Sequence, residues 1–199
     1  MTGFSRQNYK NMDLKELILQ AQQTDYSAIE ELIKREEKNV YASFCYLGAD
    51  KDIISDLTQE ALFRMSKNIK QLKSPGCFKS WLGQIITHLF YDTLRTKEKH
   101  PIPVSIDTYW NDEDDSELNI CDTHLKPDET AANKELTDII KEFICALPEH
   151  FRIVIILREL QGLSYEEIAE ITETNVGTVK SRIARARNKL QECLKPYIN

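Results

Sequence analysis

The chain has 199 residues, 26 Lys+Arg against 32 Asp+Glu, a formal net charge of −6, and 41% hydrophobic and 29% charged residues. That length holds one large domain or two small ones, and that composition is globular. Six glycines and six prolines favour long helices over a turn-rich β architecture. The longest near-apolar runs, such as 153–157, are too short to span a bilayer. The first residues lack an apolar stretch followed by a small-residue cleavage site, so the expectation is a cytoplasmic protein without membrane insertion. Cys45, Cys77, Cys121, Cys145 and Cys193 are odd in number and never form a CxxC pair. They read as reduced thiols, and neither a metal nor another cofactor is expected.

The expected fold class is all-α: two small helical domains joined by a flexible acidic linker. Residues 1–12 form an N-terminal extension, and the first block spans 13–100. Leu14, Leu17, Ile18 and Ala21 follow helical spacing, as do Ile29, Leu32 and Ile33. Residues 56–69 repeat the pattern through Leu57, Ala61, Met65 and Ile69. Ser74, Pro75 and Gly76 mark a break. Phe78, Trp81, Leu82, Ile85, Ile86 and Leu89 begin another apolar helix, which Pro101 and Pro103 end. The linker, 101–128, carries Asp107, Asp112, Glu113, Asp114, Asp115 and Glu117 with no nearby base.

The second block spans 129–199. Leu136, Ile139, Ile140, Phe143, Ile144 and Leu147 form an amphipathic helix that Pro148 breaks. The run 151–160 is rich in Ile and Val. With no partner strand or hairpin signal nearby, a buried helix is the better reading. Gly162 suits the turn at its end.

Residues 163–190 have the pattern of a helix-turn-helix. Ser164 followed three residues later by Glu167 is a capping box. Tyr165, Ile168, Ala169 and Ile171 face the core of a short helix, residues 172–175 turn, and Thr174 or Asn175 caps the next helix. There Val176, Val179, Ile183, Ala186 and Leu190 point inward. Thr178, Lys180, Ser181, Ala184, Arg185 and Asn188 point outward. Five basic residues and no acid lie from 176 to 190. On an acidic chain, this is the footprint of a nucleic-acid surface confined to one helix. Ser181 and Ala184 are small enough to approach a groove, and Lys180 and Arg185 suit guanine edges or phosphates. Arg182, Arg187 and Lys189 lie on the flanks and suit phosphates. A solvated basic face is the plainer alternative. The capped short helix, the turn and the second helix together favour DNA.

The second block resembles region 4 of bacterial extracytoplasmic-function (ECF, group IV) sigma factors of the sigma-70 family. It has Leu147-Pro148, then GLSYEEIAE, then VGTVKSR followed by RAR and Leu190. The first block resembles region 2. DLTQEALF at 56–63 is similar to the family's DLTQEVFL, and FKSWL at 78–82 with DTLR at 92–95 is similar to its promoter-melting segment. The resemblance implies a sigma factor that directs core RNA polymerase to promoters in a stress or envelope response. It implies core-polymerase contacts on the β′ clamp helices by Asp56, Gln59, Glu60 and Arg64, which also share a helical face by spacing. It implies −10 DNA contacts by Lys73, Lys79, Gln84, His88 and Arg95, with Lys97 and Lys99 extending the positive edge. It implies −35 contacts by Thr178, Lys180, Ser181, Arg182, Ala184, Arg185 and Arg187, docking of the second domain on the β flap, and an anti-sigma factor as a further partner.

Several positions depart from the family pattern. Gln84-Ile85-Ile86-Thr87-His88 stands where Arg-Ile-Ala-Arg-Asn is usual, Glu173 where glycine is frequent, and Asn175 where proline is frequent. A stand-alone helix-turn-helix regulator is the alternative; it would need a dimer interface or a ligand pocket. No Gly-rich phosphate loop, HExxH or nucleophile elbow is present, so no catalytic residue and no enzyme activity are expected.

Overall fold

The computed structural model describes residues 9–97 and 129–197; the 101–128 linker and most of the N-terminal extension lie outside them. In chain order the helices are α1 (Leu14–Gln22), α2 (Tyr26–Leu47), α3 (Lys51–Asn68), α4 (Phe78–Lys97), α5 (Glu129–Ala146), α6 (Glu149–Glu159), α7 (Tyr165–Ile171) and α8 (Val176–Leu194), with no strand among the described residues.

Local chemistry sets these boundaries. Asp13 accepts from the Lys15 N–H at the start of α1, and Asp25 accepts from Ser27 and Ala28 at the start of α2. The Tyr9 hydroxyl also donates to Asp25 at 2.6 Å. That bond holds the Asp25 carboxyl below the usual range. Gly48 ends α2 at φ 79°, where a side chain would be strained. After α3, two 3-10 turns, Ile69–Gln71 and Pro75–Cys77, lead into α4. Gln22 pins this connection, donating to the Ile69 carbonyl at 3.1 Å and the Leu72 carbonyl at 2.7 Å.

In the second block, 149–159 is the buried helix that the Ile and Val content left ambiguous. Ile153, Val154, Ile155, Ile156 and Leu157 are all buried. Pro148 precedes its first turn, where a missing N–H costs nothing. Gly162 takes φ 71°. The Ser164–Glu167 capping box forms in both directions, at 3.2 and 2.8 Å. Asn175, not Thr174, caps α8, accepting from the Thr178 N–H at 2.7 Å.

The two blocks pack on one another through one continuous apolar core. Three of the contacts across the seam illustrate it. Gly83 in α4 faces Leu163, Leu157 and Ile171, and a Cβ there would lie 3.2 Å from a Leu163 methyl. Gln161 is 3% exposed and donates to the Ser43 hydroxyl at 2.6 Å, beside Asn39. The Cys145 thiol lies 3.8 Å from the Cys45 carbonyl oxygen. Removing Gln161's side chain would orphan buried polar groups, a loss of about 1–3 kcal/mol.

Candidate nucleic-acid and polymerase interfaces

On α8, Val179, Ile183 and Ala186 are buried at helical spacing, and Val176 and Leu190 pack against the core at its edge. That fixes the opposite face outward. Lys180, Ser181, Ala184, Arg185 and Arg187 are exposed, and Thr178 and Arg182 are half-buried. The basic residues separate by environment. The Arg187 guanidinium grips Glu159 of α6 at 2.6 and 3.0 Å. That bond raises its pKa further above the usual arginine range. Lys189 lies over the Phe151 ring at 6.0 Å. Lys180 lies over the Tyr165 ring at 5.6 Å. The exposed centre of the outward face is therefore Lys180, Ser181, Ala184 and Arg185.

The turn entering α8 contains Glu173 at φ 52°, the left-handed region. A glycine preference at this position has a backbone cause, and Glu173 bears the strain.

On α4 the expected −10 residues meet a different setting. Lys73, Lys79, His88 and Arg95 are exposed, and Gln84 is half-buried. Lys73 is on the connection after α3, while Lys79 is already in the first turn of α4. Gln84, His88 and Arg95 share a face by helical spacing. The adjacent stripe, Gly83, Thr87 and Tyr91, is turned toward the second block. Thr87 is 1% exposed. The Tyr91 hydroxyl is pushed up to about 12 by burial first, then by Glu149, against the opposing pull of Arg182 and Arg95. Arg182 and Glu173 of the helix-turn-helix thus lie within electrostatic reach of α4.

On α3 the four polymerase-facing candidates stay together. Asp56 and Gln59 are exposed, and Glu60 accepts from Arg64 at 2.6 Å. Phe63 lies among them at 58% exposure, with Lys67 over its ring at 5.6 Å. It falls off the apolar stripe of Leu57, Ala61 and Met65, which is the signal that it is not core.

Three roles escaped sequence reasoning. Gly83 is a close-packing site, and a mid-helix glycine, costing about 1 kcal/mol against alanine, is the signal for it. Glu159 is the partner of Arg187, and Tyr165 sits among cations. No spacing rule announces either. A groove of about 550 Å3 opens between α5, α6 and α8, lined by Ile140, Ile144, Ile156, Leu160, Leu190 and Leu194. Among the described residues no helix is long and apolar enough to cross a membrane.

The family models agree with this architecture. One described as Sigma-70 region 2 matches residues 32–100, and one described as Sigma-70, region 4 matches 137–190. Two helical domains carrying those regions in that order define a sigma-70-type initiation factor. The ECF RNA polymerase sigma-E factor of Haemophilus influenzae is 33% identical over 186 residues, covering 92% of this chain and 95% of that protein. That of Escherichia coli K12 is 31% identical over 182 residues, covering 92% and 94%. The solved sigma factor RpoE from Bartonella quintana, in complex with the anti-sigma factor NepR, is 25% identical with a TM-score of 0.60, covering 83% of this chain and 96% of that one. The chain belongs to the ECF sigma factors. It directs RNA polymerase at transcription initiation, and a stand-alone regulator is not favoured.

Proposed function

We propose that α8 reads the −35 element in the major groove, that α4 and the turns before it hold the opened −10 strand, and that α3 seats the chain on the polymerase clamp helices. The observation that carries this reading is the outward face of α8. Lys180, Ser181, Ala184 and Arg185 are exposed together on a chain of net charge −6. Repulsion from the rest of the chain weakens binding to free DNA, so specificity belongs to the holoenzyme. Arg185 and Lys180 suit guanine edges, and Arg182 suits a phosphate. Lys73, Lys79 and Arg95 supply a cationic track for single-stranded DNA. Asp56, Gln59, Glu60 and Arg64 offer charged and amide contacts around Phe63, an aromatic anchor of the kind enriched at interfaces. The apolar groove of α5, α6 and α8 offers a seat for a β flap segment. The relative solved with its anti-sigma factor makes such a protein a candidate partner here.

The closed packing is a resting arrangement in this reading. Elements centred about 25 base pairs apart are separated by about 85 Å at 3.4 Å per step. A compact 199-residue body is about 40 Å across. The seam at Gly83 and Gln161 therefore parts when both elements are engaged.

Transcription with purified core polymerase and a promoter library tests the reading. Initiation without another sigma factor, from templates sharing two spaced elements, is the expected result. A requirement for a second sigma factor would overturn it.

A further inference from the structure

The contacts around Tyr165 form a chain. Arg158, at the end of α6, donates to the Leu163 carbonyl at 2.6 Å and is fixed there. Its guanidinium lies 4.8 Å from the centre of the Tyr165 ring. The ring belongs to the first residue of α7, directly after the Ser164–Glu167 capping box, so its backbone is held in both directions. Lys180, one turn into α8, places its ammonium 5.6 Å from the same ring. Both distances are within cation–π range. Tyr165 is half-buried, so the platform is at the surface beside the outward face of α8.

We propose that Tyr165 is a positioning residue for promoter recognition: its ring, clamped by Arg158, holds the Lys180 ammonium at the edge of the −35-reading face. A free lysine side chain loses rotamer freedom when it docks on DNA, and one already held over a ring loses less. Tyr165 thereby raises affinity without touching a base. The inference rests on the −35 reading of α8.

The test uses the full chain, core polymerase and a promoter recovered from a library transcribed by the wild type. Tyr165→Leu removes the ring face, Tyr165→Phe keeps it, and Lys180→Ala removes the cation. We expect Tyr165→Leu to lower promoter affinity of the holoenzyme about two- to fivefold, the scale of an exposed cation–π contact. Tyr165→Phe keeps the ring and gives up only the hydroxyl that also bonds Arg187, so it should retain most of the wild-type value. In the Lys180→Ala background the Tyr165→Leu loss should vanish, as a double-mutant cycle requires of coupled residues. An undiminished loss in that background, or a Tyr165→Phe defect equal to that of Tyr165→Leu, would overturn the proposal. Proton chemical shifts of the free wild-type chain give a reading that does not depend on any variant folding. The Lys180 ε-methylene should be shifted upfield by the ring, and random-coil values would also overturn the proposal. Failure of the −35 reading itself has a different signature: Lys180→Ala and Arg185→Ala would both transcribe as wild type.

Discussion

The two helices proposed to contact promoter DNA, α4 and α8, differ in what surrounds them. On α8 the inward stripe is buried in its own domain, and the residues facing out stay exposed. On α4 the stripe beside the DNA candidates is covered by the other domain, with Gly83 against Leu163 and Thr87 buried. One helix is presented by its own domain alone. The other depends on where its neighbour sits. A local sequence pattern can specify the first kind of site; the second is a property of an equilibrium between closed and open forms.

The largest expected effect tests the α8 side of this contrast. Arg185→Ala should weaken −35-dependent initiation by about 1–3 kcal/mol, the range of a bidentate base contact. Run-off transcription reads the loss, and thermal melting should be unchanged, because Arg185 is exposed.

A substitution at the seam tests the α4 side. Gly83→Leu drives atoms into the space held by Leu163 and Leu157, where even a Cβ would sit at 3.2 and 3.5 Å. Overpacking of this kind costs about 1–3 kcal/mol, and parting of the domains relieves it. Small-angle scattering should show a larger radius of gyration, with helix content by circular dichroism preserved. A compact particle that melts like the wild type would show that Gly83 does not control the seam.

Glu60→Ala has a smaller reach. It leaves Arg64 without its ion-pair partner on a half-buried face. Core-polymerase affinity should fall about fivefold, the scale of an ordinary interface contact. The fold should persist, and titration of a fluorescently labelled chain with core enzyme measures the change.

The smallest effect is in pH dependence. Burial, then the nearby Arg182 and Lys189 charges, hold His150 down to about 4 from its ordinary 6.5. As pH falls below 6.5 the unfolded chain gains a proton that the folded chain refuses, so stability declines between about 6.5 and about 4. Solvent at this half-buried ring screens the effect. His150→Gln should flatten that part of a denaturation series against pH. An unchanged slope in that window would place the dependence in groups other than His150.

Much of this was legible in the residues. The Ser164–Glu167 box and the inward stripe of α8 follow from periodicity and capping, and both appear as read; the shared face of Asp56, Gln59, Glu60 and Arg64 on α3 follows from spacing, while its polymerase role is implied by the resemblance alone. The cap of α8 was legible only to within two residues, because Thr174 and Asn175 both carry side-chain oxygens and only backbone geometry separates them. The beginning of α4 was legible: the Ser-Pro-Gly break and the apolar spacing from Phe78 put the helix start at Phe78, where Pro75 starts the tight turn that leads into it. Arg187 read as a flank cation, but its partner Glu159 is 28 residues away on another helix, beyond any local pattern. The domain seam was illegible for the same reason: Gln161 meets Ser43 across 118 residues of chain.

The most direct test is the distance between the two domains proposed to contact DNA, measured by energy transfer between labels at exposed Lys70, in the connection before α4, and exposed Glu192, late in α8. The free chain should give a single short distance, within a body about 40 Å across. Core polymerase with a promoter carrying both elements should shift it outward by several tens of ångströms. A short distance persisting in a transcribing complex would contradict the account, because the closed molecule cannot reach both elements.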